Sequence, residues 1–440
     1  MSSATVRPAR SAPGAVVSTA PAVTDFGPTD FTYLHTDTDS RHGHWAMALE
    51  FEPGDPALTL DAVRARVRER VSLFDLFRIG VREGRELEPE IVLHDDVDVD
   101  RHVTEDRFTD RGDLYRRIAA LLEQPLPRPD PFWSVTLLTS SETGDQVILL
   151  KVHHSLSDGI AGAAFAGLLA DVKDGDFSEF ERFATSPRFR TGPIDPDLLH
   201  SSRVAFEKQW MDGEAGRDWP ALTESGKREI ALYRASTRTL RRAAKAHDAS
   251  VHEFLLGAIA KTLSVAAPNG EGPQSESIRV TLPVTLDQSF RHTGNAVAIS
   301  LLNLLGSESD LNRHIDRARA ELAIVESSRM ELALVANDQE PAPPWAEMRE
   351  IVAASMDRMS PDIHIGINPG FTRVRSALGR KIAALTPLSP LVGYSFSVTC
   401  LILGGTTTFG IVTDPAALPG YAARFIEAFD AVIAEATPAQ

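Results

Sequence analysis

One segment, Gln146–His153, constrains the fold of this chain more than any other. Five of its eight residues are apolar, and they form a run over residues 147–152 that a single lysine interrupts. A short apolar run of this kind is typical of a buried strand. A second histidine, His154, follows directly, and Asp158-Gly159 then permits a tight turn into a helix. We therefore expect a buried strand that ends in two adjacent histidines, whose side chains leave the sheet on opposite faces.

Strand-like and helix-like segments alternate along the rest of the chain. The 440 residues suit two domains of roughly 150–220 residues each. Mixed strands and helices in each half predict an α/β or α+β two-layer architecture. The predicted strands are residues 45–51, 132–138, 146–153, 278–285, 296–302, 394–403 and 406–413, the last two joined at Gly404-Gly405.

Three helical signals accompany these strands. Apolar residues at helical spacing predict helices from Leu60 and after Asp113, and an apolar helix is expected after Gly159 through Val172. Ser250 and Glu253 form a capping box, which predicts that a helix begins there.

Composition divides the chain into four regions. Residues 1–24 contain no acidic residue and no continuous apolar run, which predicts a disordered tail and not a signal peptide. Residues 25–172 form the first half, which carries the histidine pair, and residues 228–440 form the second. The polar stretch 173–227 is interpreted as the crossover linker. No run approaches the ~18 apolar residues of a membrane span, so no transmembrane segment is expected.

Charge and cysteine content exclude several kinds of function. The formal net charge is -16, which argues against nucleic-acid binding. The single cysteine, Cys400, lies in an apolar run and is predicted to be a core thiol in a strand, as suits a reducing cytoplasm. Spacing supports no metal site, because His42 and His44 lack further ligands nearby in the sequence.

The histidine pair is the strongest chemical signal. A neutral imidazole at a strand end can take a proton from an alcohol or amine that attacks a carbonyl, which contributes roughly 10²–10⁴-fold to a rate. One histidine can face a cleft while the other faces the core. Asp158 is placed to hold the loop by pairing with a basic group.

The string His153-His154-x-x-x-Asp158-Gly159 resembles the active-site motif of the coenzyme A-dependent acyltransferase superfamily. That superfamily includes chloramphenicol acetyltransferase, nonribosomal peptide condensation domains and the wax ester synthase/diacylglycerol acyltransferase family. The last is similar to nearly the whole chain. Further matching segments are Asp30-Phe31-x-x-Leu34, Val97 to Val103, Pro131-Phe132-Trp133, Pro283-Val284-Thr285-Leu286, Gly294-Asn295 and, more loosely, Asn368-Pro369-Gly370.

The resemblance implies two chloramphenicol-acetyltransferase-like halves that form a pseudo-dimer with a tunnel between them. It implies His154 as the base, beside His153, and Asp158 as a structural partner of a group such as an arginine from the other half. The acyl donor would be a thioester, acyl-CoA or an acyl carrier protein, with no resident cofactor and no covalent enzyme intermediate. The predicted substrate-binding residues are Phe132, Trp133, Gly159, His252 and Asn295, and no metal ligand is predicted.

Several positions depart from the family pattern or leave alternatives open. His252-Glu253 stands where the family has Asn-Asp, and Asp287 replaces an arginine, which suits a more polar acceptor. Glu253 could cap a helix or act chemically, and His252 could line the tunnel or face solvent. Phe132 and Trp133 could wall an acyl channel or pack in the core.

Three hypotheses follow from these residues. The first is transfer of an acyl group from acyl-CoA to the hydroxyl of a small acceptor in the cytoplasm. The second is a natural-product pathway enzyme that uses a carrier-protein thioester or forms an amide. The third is a non-catalytic binding module of the same fold.

Overall fold

The structure is a computed structural model that describes residues 26–54, 56–82, 88–186, 188, 193–211, 219–268, 276–285, 292–370 and 375–438. The predicted disordered tail, residues 1–24, and the Asp287 departure lie outside the described residues.

Strands make up the two layers at the centre of the molecule. Within the described residues they are β1 (His44–Phe51), β2 (Ile79–Arg82), β3 (Glu90–Leu93), β4 (Val103–Phe108), β5 (Trp133–Ser140), β6 (Gln146–His153), β7 (Glu229–Ser236), β8 (Ser277–Thr285), β9 (Val297–Leu305), β10 (Ile363–Pro369), β11 (Ser376–Ala377), β12 (Arg380–Leu388), β13 (Phe396–Leu403) and β14 (Thr406–Thr413).

Helices connect and cover these strands. In the same residues they are α1 (Pro28–Thr36), α2 (Leu60–Arg70), α3 (Val99–His102), α4 (Arg111–Leu122), α5 (Ala163–Ala166), α6 (Ser178–Ala184), α7 (Pro196–Met211), α8 (Thr237–Ala246), α9 (Val251–Val265), α10 (Leu311–Ser328), α11 (Glu331–Gln339), α12 (Trp345–Met359) and α13 (Tyr421–Ala436).

Two six-stranded sheets carry the two halves. The first has the strand order β11-β12-β1-β6-β5-β4, and the second has the order β7-β14-β13-β10-β8-β9. A separate ribbon pairs β2 with β3. The predicted mixed α/β architecture is confirmed.

The first sheet is completed by strands from the second half. Antiparallel pairing places Leu49 of β1 opposite Leu385 of β12, and Ala46 opposite Leu388. On its other side, β1 pairs with β6. The two halves are therefore joined through a shared sheet, although the predicted domain boundaries at residues 173–227 stay a prediction.

Local sequence explains the elements that were predicted well. Every residue of β6 is buried, as its apolar run indicates. The hairpin of β13 and β14 turns at Gly404, whose positive φ of 63° suits glycine. The Ser250 hydroxyl accepts from the Glu253 backbone N–H at the start of α9, and the Glu253 carboxylate accepts from the Ser250 N–H, which confirms the capping box.

One region differs from the prediction. The expected long helix after Gly159 is only one turn of α-helix, α5. The turns on either side of it have 3₁₀-type hydrogen bonds, in which the N–H of one residue donates to the carbonyl three residues earlier, as Ala163 does to Ile160 and Leu168 to Phe165. A Cβ at Gly162 would lie 2.7 Å from the Trp45 ring, so the segment is packed too closely for a regular helix with larger residues. In the predicted linker the chain forms α6 and α7.

An apolar core also fills the joint between the halves. Ala46, Ala48 and Leu149 of the first sheet pack in one cluster with Leu232 of β7 and Val412 of β14. No helix of the described residues is both long and apolar enough to cross a membrane.

Candidate active site

A cavity of about 1090 Å³ is lined by residues of both halves. Its lining changes in character from one group of elements to another. Apolar side chains from β1, β6, β12 and the segment after Gly159 form one part of the wall. The region of α9 and α10 contributes polar and charged side chains, together with the apolar Leu322, Ala323 and Val325. The apolar group is Met47, Leu49, Leu150, Ala163, Ala166, Leu169 and Leu385, and the polar group includes Ser250, His252, Glu253, Arg319 and Glu326.

His154 lies at this cavity, directly after β6. Its backbone N–H donates to the Gly43 carbonyl at 2.7 Å. The ring of Tyr33, in α1, stacks on the imidazole with centroids 3.8 Å apart. The Nδ1 atom is 2.8 Å from Oδ1 of Asn295. Among the described residues no protein group hydrogen-bonds the Nε2 atom, which leaves that nitrogen open to the cavity.

Asn295 determines which nitrogen of His154 carries the proton. Its Nδ2 donates to the His154 carbonyl at 2.7 Å and to Asp30 Oδ1 at 3.3 Å, so its Oδ1 is the accepting end. His154 Nδ1 must then donate to that oxygen, and Nε2 keeps its lone pair. Burial lowers the pKa of His154 to about 4, although the Asn295 hydrogen bond and the Asp158 charge act in the opposite direction. The ring is therefore neutral at physiological pH, with its basic nitrogen toward the cavity.

A buried ion pair holds Asn295 in place. Asp30 Oδ1 accepts from the Asn295 backbone N–H at 2.9 Å and pairs with Arg188, with side chains 3% and 1% exposed. The residue between these groups is Gly294, whose φ is 83°. A Cβ there would lie 2.1 Å from an Arg188 nitrogen. Glycine is thus the residue that this packing admits.

His153 has a different environment. The Ser155 backbone N–H donates to its Nδ1 at 3.2 Å, so the proton lies on Nε2, which donates to Asp37 at 3.1 Å. Asp37 also accepts from Arg128 and from the Gly43 N–H, at 2.9 and 2.7 Å. The side chain is 1% exposed and faces the core, so His153 supports the strand end and does not reach the cavity.

Asp158 joins the two halves. Its Oδ1 accepts from the backbone N–H groups of Ile160 and Ala161, at 2.9 and 2.8 Å. Its Oδ2 accepts from His292 Nε2 at 2.9 Å and from the Ala296 N–H at 2.8 Å. Burial opposes ionisation, but His292 and the backbone donors hold the pKa of Asp158 below its ordinary value. The partner from the other half is thus a histidine, which corrects the expectation of an arginine.

The predicted substrate-binding residues separate into two groups. Gly159 and His252 line the cavity. In the described structure His252 Nε2 is buried without a hydrogen-bond partner, while Glu253 caps α9 and pairs with Arg319. The cavity position resolves the alternatives that the sequence left for His252, and the capping role accounts for Glu253.

Phe132, Trp133 and Asn295 are not brought to the cavity wall, which corrects their predicted role. Phe132 packs on the His153 ring at 4.7 Å. Trp133 donates from Nε1 to the Phe77 carbonyl at 2.7 Å inside the first core. Both aromatic residues are 1% exposed or less, since Trp133 begins β5, an inner strand of the first sheet, and Phe132 directly precedes it. Asn295 hydrogen-bonds Nδ1 of His154 and does not line the cavity.

Sequence reasoning missed several residues of the site. Tyr33, on the His154 ring, and His364, on β10 in the cavity lining, carry no local motif. Asp37 and His292 become partners of the histidine motif only through folding. Asp30 could have been found, because it lies in the opening segment that resembles the family. Among the described residues no group of three or more His, Cys, Asp or Glu side chains could hold a metal ion.

Comparisons with known proteins find similar chains. The family model of the wax ester synthase/diacylglycerol acyltransferase catalytic domain matches residues 26–191. A probable diacylglycerol O-acyltransferase of Mycobacterium tuberculosis is 25% identical over 417 residues, which cover 88% of this chain and 90% of that protein. A putative diacylglycerol O-acyltransferase of Mycobacterium bovis matches with the same identity and coverage.

Solved structures share the fold. The wax ester synthase/diacylglycerol acyltransferase of Marinobacter aquaeolei VT8 superposes with a TM-score of 0.66 at 16% identity, over 93% of this chain and 97% of that one. The first condensation domain of the calcium-dependent antibiotic synthetase gives a TM-score of 0.58 at 15% identity, over 94% and 97% of the two chains. Over residues 26–191 the chain is thus similar to the wax ester synthase/diacylglycerol acyltransferase family, and along most of its length it is a divergent relative of O-acyltransferases.

Proposed function

We propose that this acyltransferase moves an acyl group from acyl-CoA to a hydroxyl of a small acceptor, with His154 as the general base and no covalent enzyme intermediate. The observation that supports this most strongly is the state of His154 at the cavity. Its ring is neutral, its Nδ1–H donates to Asn295, and its Nε2 therefore has a free lone pair. We further propose a cytoplasmic location, which suits a chain whose single cysteine is a buried free thiol.

In the proposed reaction one imidazole, that of His154, both takes and returns the proton. The acceptor oxygen attacks the thioester carbonyl carbon while His154 Nε2 takes the hydroxyl proton. A tetrahedral intermediate forms, and its C–S bond then breaks as the carbonyl re-forms. The imidazolium returns the proton to the leaving sulfur, so that ester and free thiol leave and His154 is neutral again. Asn295 accepts from Nδ1 throughout and keeps the ring in place.

The cavity suits two substrates of unlike chemistry. Its volume of about 1090 Å³ exceeds the roughly 300–1,000 Å³ of ordinary small-molecule pockets. The apolar wall of Met47, Leu49 and Ala166 fits an acyl chain, because burial of each CH₂ contributes about 0.8 kcal/mol. The polar wall that contains His252 fits a headgroup.

The decisive experiment measures thiol release from acyl-CoAs of short to long chain with pooled alcohol and amine acceptors. His154→Ala should fold normally and lower turnover at least about a hundredfold, the lower end of the general-base range. The matched control is His247→Ala, because His247 also bonds an asparagine through Nδ1, Asn312 at 2.7 Å, but outside the cavity lining. Near-normal turnover in His154→Ala would remove His154 from the mechanism.

A second candidate donor is a carrier-protein thioester. The two arginines that line the cavity are both engaged: Arg319 pairs with Glu253 and Asp316, and Arg329 with Glu331. Among the described lining residues this leaves no unpaired arginine or lysine for the phosphates of coenzyme A. Turnover with an acyl-carrier protein that exceeds turnover with the matching acyl-CoA would favour this donor.

A further inference from the structure

A histidine of the second sheet also lines the cavity. His364 lies on β10 in the second sheet and is 7% exposed. Its Nδ1 is 2.9 Å from the Thr281 hydroxyl, and its ring stacks on Tyr394 with centroids 5.2 Å apart. These two contacts fix the plane of the ring.

The hydrogen bonds also fix its tautomer. The Thr281 hydroxyl donates to the Ile363 carbonyl at 3.3 Å, so its oxygen accepts from the His364 Nδ1–H. Nε2 is then unprotonated. No protein group in the described part of the chain hydrogen-bonds it. Burial, with the charge of His154 as a smaller cause, lowers the pKa of His364 to about 3, so the ring is neutral and Nε2 is an acceptor.

The space in front of this nitrogen is kept clear by a glycine. A Cβ at Gly366 would lie 3.4 Å from His364 Nε2 and 3.0 Å from the Thr399 methyl group. Both Gly366 and Thr399 line the cavity. The nitrogen is therefore accessible to a molecule in the cavity.

An unpaired acceptor in a largely buried site costs free energy unless a ligand supplies a donor. The cavity thus holds two unbonded imidazole nitrogens that are not buried, those of His154 and His364, one from each half, whereas the unbonded Nε2 of His252 is buried. His154 takes the hydrogen of the attacking hydroxyl, which leaves His364 to accept a second one.

We propose that His364 is a specificity-determining residue that accepts a hydrogen bond from a second O–H or N–H group of the acceptor, so that the preferred acceptor is a diol or an amino alcohol and not a monoalcohol. This inference rests on the proposed function, in which the first hydroxyl reacts at His154.

The test compares a vicinal alkane diol with the primary alcohol of the same chain length. His364→Asn keeps an amide at the Nδ1 position for Thr281 but has no atom at Nε2, whereas His364→Gln returns an acceptor oxygen near it. We expect the wild type to show a KM for the diol about tenfold below that for the alcohol, as one hydrogen bond of about 1.4 kcal/mol gives. His364→Asn should raise the diol KM about tenfold with kcat and the alcohol KM unchanged, and His364→Gln should restore part of the preference.

Gly366→Ala is the second variant, because it fills the space before Nε2 and leaves the Thr281 bond intact. It should lose the diol preference as His364→Asn does. An equal fall in kcat for both acceptors in His364→Asn, or an unchanged diol preference in both variants, overturns the inference.

Calorimetric binding of the two acceptors without donor separates this inference from the proposed function. Tighter binding of the diol that depends on His364, in a wild type that transfers no acyl group, would overturn the proposed function and leave the acceptor site standing. Equal binding of diol and alcohol by the wild type, or no binding of either, overturns the inference.

Discussion

Asn295 gives His154 two properties that a general base needs, a defined tautomer and a defined position. One amide accepts from the ring Nδ1 and donates to the backbone carbonyl of the same histidine. Asp30 fixes that amide in turn. Removing the amide would leave the ring free to rotate and to carry its proton on either nitrogen.

We therefore expect Asn295→Ala to lower kcat about tenfold to a hundredfold, a part of the general-base contribution of about 10²–10⁴-fold. Steady-state kinetics at saturating substrates measure this. Asn312→Ala is the matched control, since it removes the same amide contact from His247 outside the cavity lining. An Asn295→Ala enzyme with wild-type kcat would show that tautomer and position are set by other groups.

The pH dependence of kcat/KM tests the state of His154 directly. The proposed base works only when neutral, so we expect activity to be present above the pKa of His154 and to be lost as the pH falls through it. Burial lowers that pKa from the ordinary 6.5 to about 4, so we expect the acidic limb near pH 4. Enzyme held at each pH and assayed again at neutral pH controls for unfolding. An acidic limb near 6.5 would show that His154 is solvated or that another group limits the rate.

At the scale of elements, the sequence predicted features that depend on neighbouring residues better than features that depend on tertiary contacts. The apolar run of β6, the capping box of α9 and the glycine turn between β13 and β14 are confirmed, because each depends on residues adjacent in sequence. The long helix after Gly159 was wrong, because close packing of Gly162 on Trp45 outweighs apolar spacing.

The candidate site shows the same division. His154 and Asp158 stand out in the sequence because one short string carries both. Asp158 is hydrogen-bonded to His292, and His153 to Asp37. Both partners lie far away in the chain and reach these residues only in the folded state. Phe132 and Trp133 lie beside β6, the strand that ends in the histidine pair, but both side chains are buried in the core.

The segment after Gly159 supplies the next prediction. Ala166 lines the apolar part of the cavity, so Ala166→Leu should shorten the space for an acyl chain. We expect kcat/KM to fall about tenfold for long acyl-CoAs and to stay unchanged for short ones, since the loss of one or two buried CH₂ groups corresponds to about that factor. Ala246→Leu, at the exposed end of α8, is the control. An equal fall for all chain lengths would place the acyl chain elsewhere.

At the scale of the whole molecule, Asp158 and β12 bind the two halves together. Asp158 collects three backbone N–H groups and His292, and two of these four donors come from the second half. The strand β12 pairs with β1 across the same joint. The cavity is therefore lined by both halves of one continuous framework.

Asp158→Ala tests this joint. It removes one partner of the buried pair with His292, so we expect the free energy of unfolding to fall by about 3–5 kcal/mol. Urea unfolding measures the change. Asp110→Ala, which removes only the N-cap of α4, should cost about 1 kcal/mol. A loss of activity in Asp158→Ala with unchanged stability would assign the carboxylate to chemistry instead.

The position of β12 also governs how the protein is made. During synthesis β1 and β6 leave the ribosome long before residues 380–388, so the nascent first sheet presents an open strand edge for most of translation. Such edges invite pairing with other chains. A gene truncated within residues 173–227 should therefore yield aggregated polypeptide, and co-expression of the missing portion should return it to solution as a noncovalent complex.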